Sequence, residues 1–413
     1  MNNNTNGFVQ GFVIFFTCLI VSCNNKKDAL LLNVIPLASS VGKYKTLNLS
    51  DYATEIRYIP LETNDSVLVG ARPRICYENG HIFISEALHN CYLFDNDGKF
   101  CHKIGQRGQG PNEYFALVQS FMQDGFIFLN DNQKILIYDM NGYPIETINL
   151  WSNDIPAKYR GAGDIHLSPL KKNTFVMNVI SMEGDYPKAI LFETHQSGVK
   201  MIKEYPNFVT LHKLRSGIVG GERGFIYRFE NDVRTYKGIN DTVFTIGQNT
   251  EMKTAFIFDL GKYKRPLSFY EWREDINATF NNYIYLYAIY ESLNYLFIEF
   301  SFGNYTPESS KYTTSRGTQG NANVCGVFDK RKGEFTLLSP PIKGKLGFKN
   351  DIDNGPVIWP EYITTNDELV SLIHPEDFME YYEGITNPSA ELKKIADRIK
   401  PDDNPIVVVT KLK

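Results

Sequence analysis

The feature that most constrains the fold is a repeat. Residues 79–105 read NGHIFISEALHNCYLFDNDGKFCHKIG, and residues 124–150 answer with DGFIFLNDNQKILIYDMNGYPIETINL. Each copy runs through a turn, an apolar strand, a short polar turn, a strand ending in an aromatic residue plus Asp, a Gly turn and an outer strand. The two Gly turns, at Gly98 and Gly142, lie 44 positions apart. That spacing belongs to architectures in which one four-stranded sheet cannot bury its faces alone and must stack against its neighbours.

Weaker copies follow. Strands are expected around 174–179 and 189–193 before Gly198, at 225–229 and 242–246, at 295–300 and 324–329 before Gly333, and at 356–363 with 368–373. The count predicts an all-β chain: a six-bladed β-propeller with short helical insertions, occupying residues 46–413 as one domain. The final strand, 406–412, needs partners at its side. Pairing with an early strand at 55–61 closes the ring without leaving an edge. Three segments break the β pattern. Residues 267–280 have helical spacing, residues 304–323 are rich in Gly, Ser and Thr and read as a long mobile loop, and residues 389–399 read as a short amphipathic helix.

Composition agrees with one large folded body. The chain has 413 residues, long for one domain but ordinary for an all-β repeat fold, with 43% hydrophobic and 22% charged residues. Aromatic residues reach 14%, in keeping with strands that present bulky side chains to half-buried surfaces. A formal net charge of -4 lacks the positive field by which proteins displace phosphate counterions, so nucleic acid is excluded as an expected partner.

The N-terminus carries an address. A mostly apolar run from 8 to 21, interrupted by Gln10 and Gly11, ends in Ile20-Val21-Ser22-Cys23 ahead of the polar Asn24-Asn25-Lys26-Lys27-Asp28. It is too short and wrongly flanked for a lasting transmembrane helix, and it has the layout of a signal peptide over residues 1–22. The four residues ending at Cys23 resemble a lipobox, in which the thiol accepts a diacylglycerol before cleavage. Residues 23–45 then form a lipid-anchored tether. Met1 to Gly7 contain no Lys or Arg, so only the α-amino group supplies the usual positive charge. The alternatives are a plain cleaved signal with Cys23 incidental, or a mis-set start codon; both still imply export. The expected location is the cell envelope, anchored through lipid to the outer membrane, with the periplasmic or surface face left open by Asn24 and Asn25. No later stretch approaches the roughly 20 apolar residues of a spanning helix.

Beyond Cys18 and Cys23, the cysteines are Cys76, Cys91, Cys101 and Cys325. Cys91 and Cys101 flank one hairpin without facing each other, and free or buried thiols are expected. No C-x-x-C or zinc-type spacing occurs.

Several further stretches resemble the six-bladed β-propeller lipoproteins common in Bacteroidetes, with NHL-like blades. They are Tyr58-Ile59-Pro60-Leu61-Glu62-Thr63, the run from Ile104 to Tyr114, Asn240-Asp241-Thr242-Val243, the run from Asn350 to Pro356 followed by Trp359-Pro360, and the run from Asp402 to Val409. Together they span nearly all of the mature chain. The resemblance implies a cell-envelope binding protein without a defined reaction, and it supplies no catalytic residues.

Site candidates are few. IGQRGQGPNEY, residues 104–114, fits neither phosphate-loop pattern and reads as a connection between blades, with Gly105, Gly108 and Gly110 permitting positive φ and Pro111 stiffening the exit. Its functional reading places Arg107 and Glu113 over the channel mouth as ligand-binding residues. The seven histidines, His81, His89, His102, His166, His195, His212 and His374, show no ligand spacing, so neither metal nor cofactor is expected. Asp351 with Asp353 and Asp402 with Asp403 read as turn residues. Trp359 beside Pro360 reads as core; Trp272 offers a stacking surface. The leading expectation is a membrane-anchored binding module for a glycan, a peptide or an outer-membrane uptake complex. The alternative is an extracellular polymer hydrolase or lyase with its site at the channel mouth, which perturbed carboxylates there would favour.

Overall fold

The computed structural model describes residues 34–88, 90–151, 155, 159, 164–180, 188–195, 198–207, 224–238, 241–266, 279–314 and 317–413. The signal segment, Cys23, His89, His212, Trp272 and all but the end of the helix expected at 267–280 lie outside them.

Six antiparallel blades follow one another along the chain. Blade 1 comprises Arg74–Glu78, His81–Ser85, Cys91–Asp95 and Phe100–Lys103. Blade 2 comprises Gln119–Gln123, Phe126–Asn130, Lys134–Asp139 and Pro144–Asn149. These are the two repeats read from the sequence. Blade 3 runs Asp164–Lys171, Thr174–Ile180, Ala189–His195 and Gly198–Tyr205. Blade 4 runs Phe225–Phe229, Asp232–Tyr236, Thr242–Ile246 and Met252–Phe258. Blade 5 runs Tyr285–Glu291, Tyr295–Ser301, Val324–Asp329 and Glu334–Leu338. Blade 6 is built from both ends of the chain: Tyr362–Ile363, Glu368–Ile373, Ile406–Leu412 and, as its outer strand, Ala53–Pro60.

The apolar strands are continuous because each blade is covered on both faces. In blade 1, Ile82 and Ile84 pack toward blade 6 with Ile59 and Val407, whereas Phe83 between them packs toward blade 2 with Leu129 and Leu136. Alternate side chains of one strand thus enter different cores. Each of the buried clusters lies between two neighbouring blades, so the hydrophobic core of this protein is a ring of interfaces.

Ring closure follows the expected route. Ile406–Leu412 pairs with Glu368–Ile373 on one side and with Ala53–Pro60 on the other, and Ile406, Val407 and Val408 are fully buried. Asn404 clamps the junction: its amide donates to the carbonyls of Glu62 and Val67 at 2.7 and 2.9 Å and accepts from the Val69 N–H at 2.8 Å. Blades 4 and 5 are tied by a buried ion cluster. The Glu291 carboxylate, with no exposed side-chain surface, accepts from Arg234 at 3.0 Å, Lys330 at 2.8 Å and the Tyr227 hydroxyl at 2.9 Å.

Four expectations change. The span read as a tether, 23–45, contributes structure from Val34 onward: Val34–Ile35 joins the outer strand of blade 4 and Tyr44–Lys45 that of blade 5, both in parallel. Burial of Ile35 and Leu37 holds this segment to the rim. The loop expected to be mobile at 304–323 contains a hairpin, Lys311–Thr313 with Gln319–Asn321, because its polar residues still offer a backbone ladder. The strand expected over 356–363 shrinks to Tyr362–Ile363, since Pro356 and Pro360 have no N–H to give a sheet. A helix that sequence reading missed, Pro375–Glu383, joins the expected one, observed as Ala390–Ala396 with the Ser389 hydroxyl capping the Leu392 N–H at 3.2 Å. We call Leu37–Ser40 α1, Pro375–Glu383 α2 and Ala390–Ala396 α3.

Candidate functional site

Strand alternation divides the connections between two faces. Links between first and second strands, and between third and fourth, leave from one face and are short. Asn79-Gly80 and Asp124-Gly125 turn there with φ of 51° and 74°, and 52° and 80°, the two-residue hairpin geometry that suits a right-handed twist. Links between second and third strands, and between consecutive blades, leave from the other face. Among the described residues the long ones are there: 104–118, 339–361, 374–405 and the described parts of 302–323. The insertion face is therefore where the chain departs from its minimal repeat, and loops held on a rigid scaffold are the usual carriers of function.

On the blade 6 sector of this face, α2 and the loop 342–357 enclose a groove of about 580 Å³. α2 forms where it does because His374 is extended at the N-cap, Pro375 suits the first helical position, Glu376 and Asp377 complement the N-terminal dipole, and Gly384 ends it. Phe378 anchors the helix in the core between blades 5 and 6. The opposite wall is shaped by Asn350 to Gly355. The Asn350 amide donates to the Tyr58 hydroxyl at 3.1 Å, that hydroxyl donates to Asp353 at 3.2 Å, and Asp353 also accepts the Gly355 N–H at 2.9 Å. Asp351 takes the Ser50 N–H and hydroxyl at 2.9 and 2.6 Å. Asp353 serves its own turn, as read, whereas Asp351 clamps Ser50, 301 positions earlier in the chain.

The groove lining is mixed, with aliphatic side chains of Ile342, Leu346, Val357, Ile373 and Ile385 beside Asn354, Tyr381 and Thr386. Its rim is charged. Lys345 reaches across from the loop to Asp377 at 2.5 Å and Glu380 at 3.8 Å on α2.

Behind the groove wall stands an unusual carboxyl. Glu361, immediately before the inner strand of blade 6, accepts the N–H of Leu372, a groove residue, at 3.0 Å. It is crowded by protein yet open to solvent, and crowding pushes its pKa up to about 7; the Leu372 N–H opposes this and the Glu299 carboxylate adds to it. Glu299 itself accepts from the Trp359 indole N–H at 3.0 Å and the Asn323 amide at 2.9 Å. Two carboxyls in different environments thus sit where blade 5 meets blade 6.

Arg107 and Glu113 both lie on the insertion face, in the connection from blade 1 to blade 2, away from the groove. Arg107 donates to the carbonyls of Phe115 and Leu88 at 3.2 and 3.1 Å, and Glu113 accepts the Gly110 N–H at 2.8 Å. Both side chains hold their own loop together. Of its glycines only Gly105 has positive φ, at 65°; at Gly108 a Cβ would overlap the Glu113 carboxylate, so close approach, rather than handedness, calls for Gly there. Trp359 packs in the core, stacked on Phe348 with ring centroids 5.6 Å apart. Cys76, Cys91, Cys101 and Cys325 are free thiols. Among the described residues no group of His, Cys, Asp or Glu is placed to hold a metal, and no helix is long and apolar enough to cross a membrane.

Sequence reading missed Glu361, Glu299 and the groove. The one local signal was His374-Pro375-Glu376-Asp377 with Phe378 and Tyr382 four apart, which marks the start and the buried stripe of α2.

A family profile described as "Domain of unknown function (DUF4934)" matches residues 32–411. Among solved structures, the chain is similar to one described as a "Putative exported protein" from Bacteroides fragilis, with 19% identity, a TM-score of 0.64, and 90% of this chain and 98% of that chain covered. It also matches a member of the duf4221 family from Bacteroides vulgatus, with 14% identity, a TM-score of 0.49, and coverage of 87% and 97%. No curated protein matches the chain.

Proposed function

The chain belongs to the DUF4934 family, a domain of unknown function; we propose that it is an exported envelope protein, lipid-anchored through Cys23, whose propeller captures a ligand on its insertion face. The observation that carries the binding reading is that, among the described residues, the long connections and the groove lie on one face. Export is supported by the N-terminal segment and by the description of the similar Bacteroides fragilis structure. A glycan, a peptide or a component of an outer-membrane uptake complex is the ligand class considered, at the envelope rather than on nucleic acid.

Orientation tests the binding reading. The protein is immobilised through a biotinylated cysteine placed either on the short-turn face, Lys332→Cys, or on the insertion face, Ser309→Cys, and exposed to glycan and peptide arrays. Capture is expected only when the insertion face is free; equal capture in both orientations overturns the reading. For the anchor, Cys23→Ala is expected to move the protein from the membrane fraction to the soluble one.

One observation favours a second reading, a polymer hydrolase or lyase. Glu361 and Glu299 form a carboxyl pair in which one member titrates near neutrality, the pattern by which one acid and one base share a site. Turnover of an envelope or extracellular polysaccharide that vanishes in Glu361→Gln supports it; binding unaccompanied by turnover removes it.

A further inference from the structure

We propose that the groove beside α2 binds a cationic amphiphile: an apolar group bearing an ammonium that reaches the carboxylates of Asp377 and Glu380. This rests on the reading of the insertion face as the binding face and adds the chemistry of its ligand.

Three observations converge on that class. The cavity, about 580 Å³, is of the size that takes a small ligand, and the aliphatic side chains of Ile342, Leu346, Val357, Ile373 and Ile385 form an apolar patch in its otherwise mixed lining, against which an apolar group packs. Its rim is net acidic: of the charged residues lining it, α2 gives Asp377 and Glu380 and the facing loop gives Lys345. The protein itself shows that the rim holds an ammonium, because Lys345 places its Nζ against Asp377 and Glu380 from across the opening. Two carboxylates facing one lysine leave a negative charge uncompensated. All three side chains are about half exposed or more, at 46, 51 and 77%, so this ion pair contributes little to stability and a ligand ammonium joins or displaces Lys345 at small cost. An anionic amphiphile of the same size meets the same walls and a repulsive rim. The chemistry has two sources, a free alkylamine or a lysine flanked by apolar residues in a peptide.

The test titrates the purified full chain by calorimetry with hexylammonium, with hexanoate, and with acetyl-Leu-Lys-Leu-amide. Hexylammonium, the peptide or both are expected to bind. Whichever binds identifies the source, and hexanoate is expected to bind about tenfold more weakly or not at all. The pair Asp377→Asn and Glu380→Gln, both at exposed positions, is expected to lower the affinity of the cationic probe about five- to tenfold while lowering the thermal midpoint only slightly, through the lost dipole complement of Asp377. Val357→Trp, which places an indole in the groove, is expected to obstruct binding. Equal binding of hexylammonium and hexanoate, no binding of either cationic probe, or unaltered affinity in the exposed pair overturns the proposal. Array capture through the insertion face that survives Val357→Trp overturns the groove assignment and leaves the broader reading standing.

Discussion

Replacing Glu361 by Gln isolates the energetic consequence of a carboxyl lodged at the meeting of blades 5 and 6. In the folded chain this group titrates near 7, against an ordinary 4.5, because crowding by protein disfavours its charge. At about 1.4 kcal/mol for each pH interval of one, the span from 4.5 to about 7 sets a ceiling of about 3 kcal/mol. Glu361 is open to solvent, so water screens part of the penalty, and about 1–2 kcal/mol is the expected effect. Its sign follows from proton counting. Below pH 4.5 both folded and unfolded chains hold the proton; between 4.5 and 7 the folded chain keeps a proton that the unfolded chain has released, so stability falls as pH rises; above 7 the loss is complete. Glutamine has no proton to lose, and its side-chain carbonyl still accepts the Leu372 N–H. Urea unfolding of both proteins across pH 4.5–8 should therefore show the variant gaining about 1–2 kcal/mol on the parent as pH rises. Other titrating groups are common to both proteins and cancel in the difference. Parallel curves, or a variant that loses ground with rising pH, refute the assignment.

Other perturbations probe the scaffold. Glu291→Ala leaves the Arg234 and Lys330 cations of the cluster between blades 4 and 5 without their shared carboxylate, and a loss of about 3–5 kcal/mol is expected from denaturant unfolding. Ile406→Ala opens a cavity in the strand that closes the ring, and should cost about 2–5 kcal/mol, read as a lowered thermal midpoint. Gly108→Ala pushes the Glu113 carboxylate off the Gly110 N–H, for a loss of about 1–2 kcal/mol; adding Glu113→Ala should cost little more, and full additivity in the double mutant contradicts the coupling.

How much of this was legible depends on the distance over which each feature is encoded. Blades 1 and 2 were readable because Asn79-Gly80, Asp124-Gly125, Gly98 and Gly142 punctuate strands whose apolar character is continuous. The closing partnership of the last strand with an early one was readable too, since a ring fold leaves that strand no other neighbour. The start of ordered structure was not. Val34–Ile35 and Tyr44–Lys45 are short segments whose stability comes from outer strands far along the chain, so nothing local distinguishes them from a tether. The same holds at residues 304–323, where a polar composition suggested mobility and a ladder of backbone bonds supplies order.

The sequence by itself determined the class of the protein: an all-β repeat of six blades. This is a property of periodicity and of residues adjacent in the chain. Only the tertiary structure decided where a ligand has room to bind. The groove joins α2 to a loop ahead of blade 6, and its wall depends on Tyr58, which lies some 300 residues before Asn350 and Asp353 in the chain. Glu361 acquires its character from crowding by the surrounding protein, with Leu372 opposing the shift and Glu299 adding to it, the two contributed by different blades. Arg107 and Glu113, the polar residues of a conspicuous motif, are engaged by backbone groups of their own loop and its neighbour. Burial and charge at a site are sums over neighbours brought together by ring closure, and a linear pattern carries the blades of such a ring but not the distances between them.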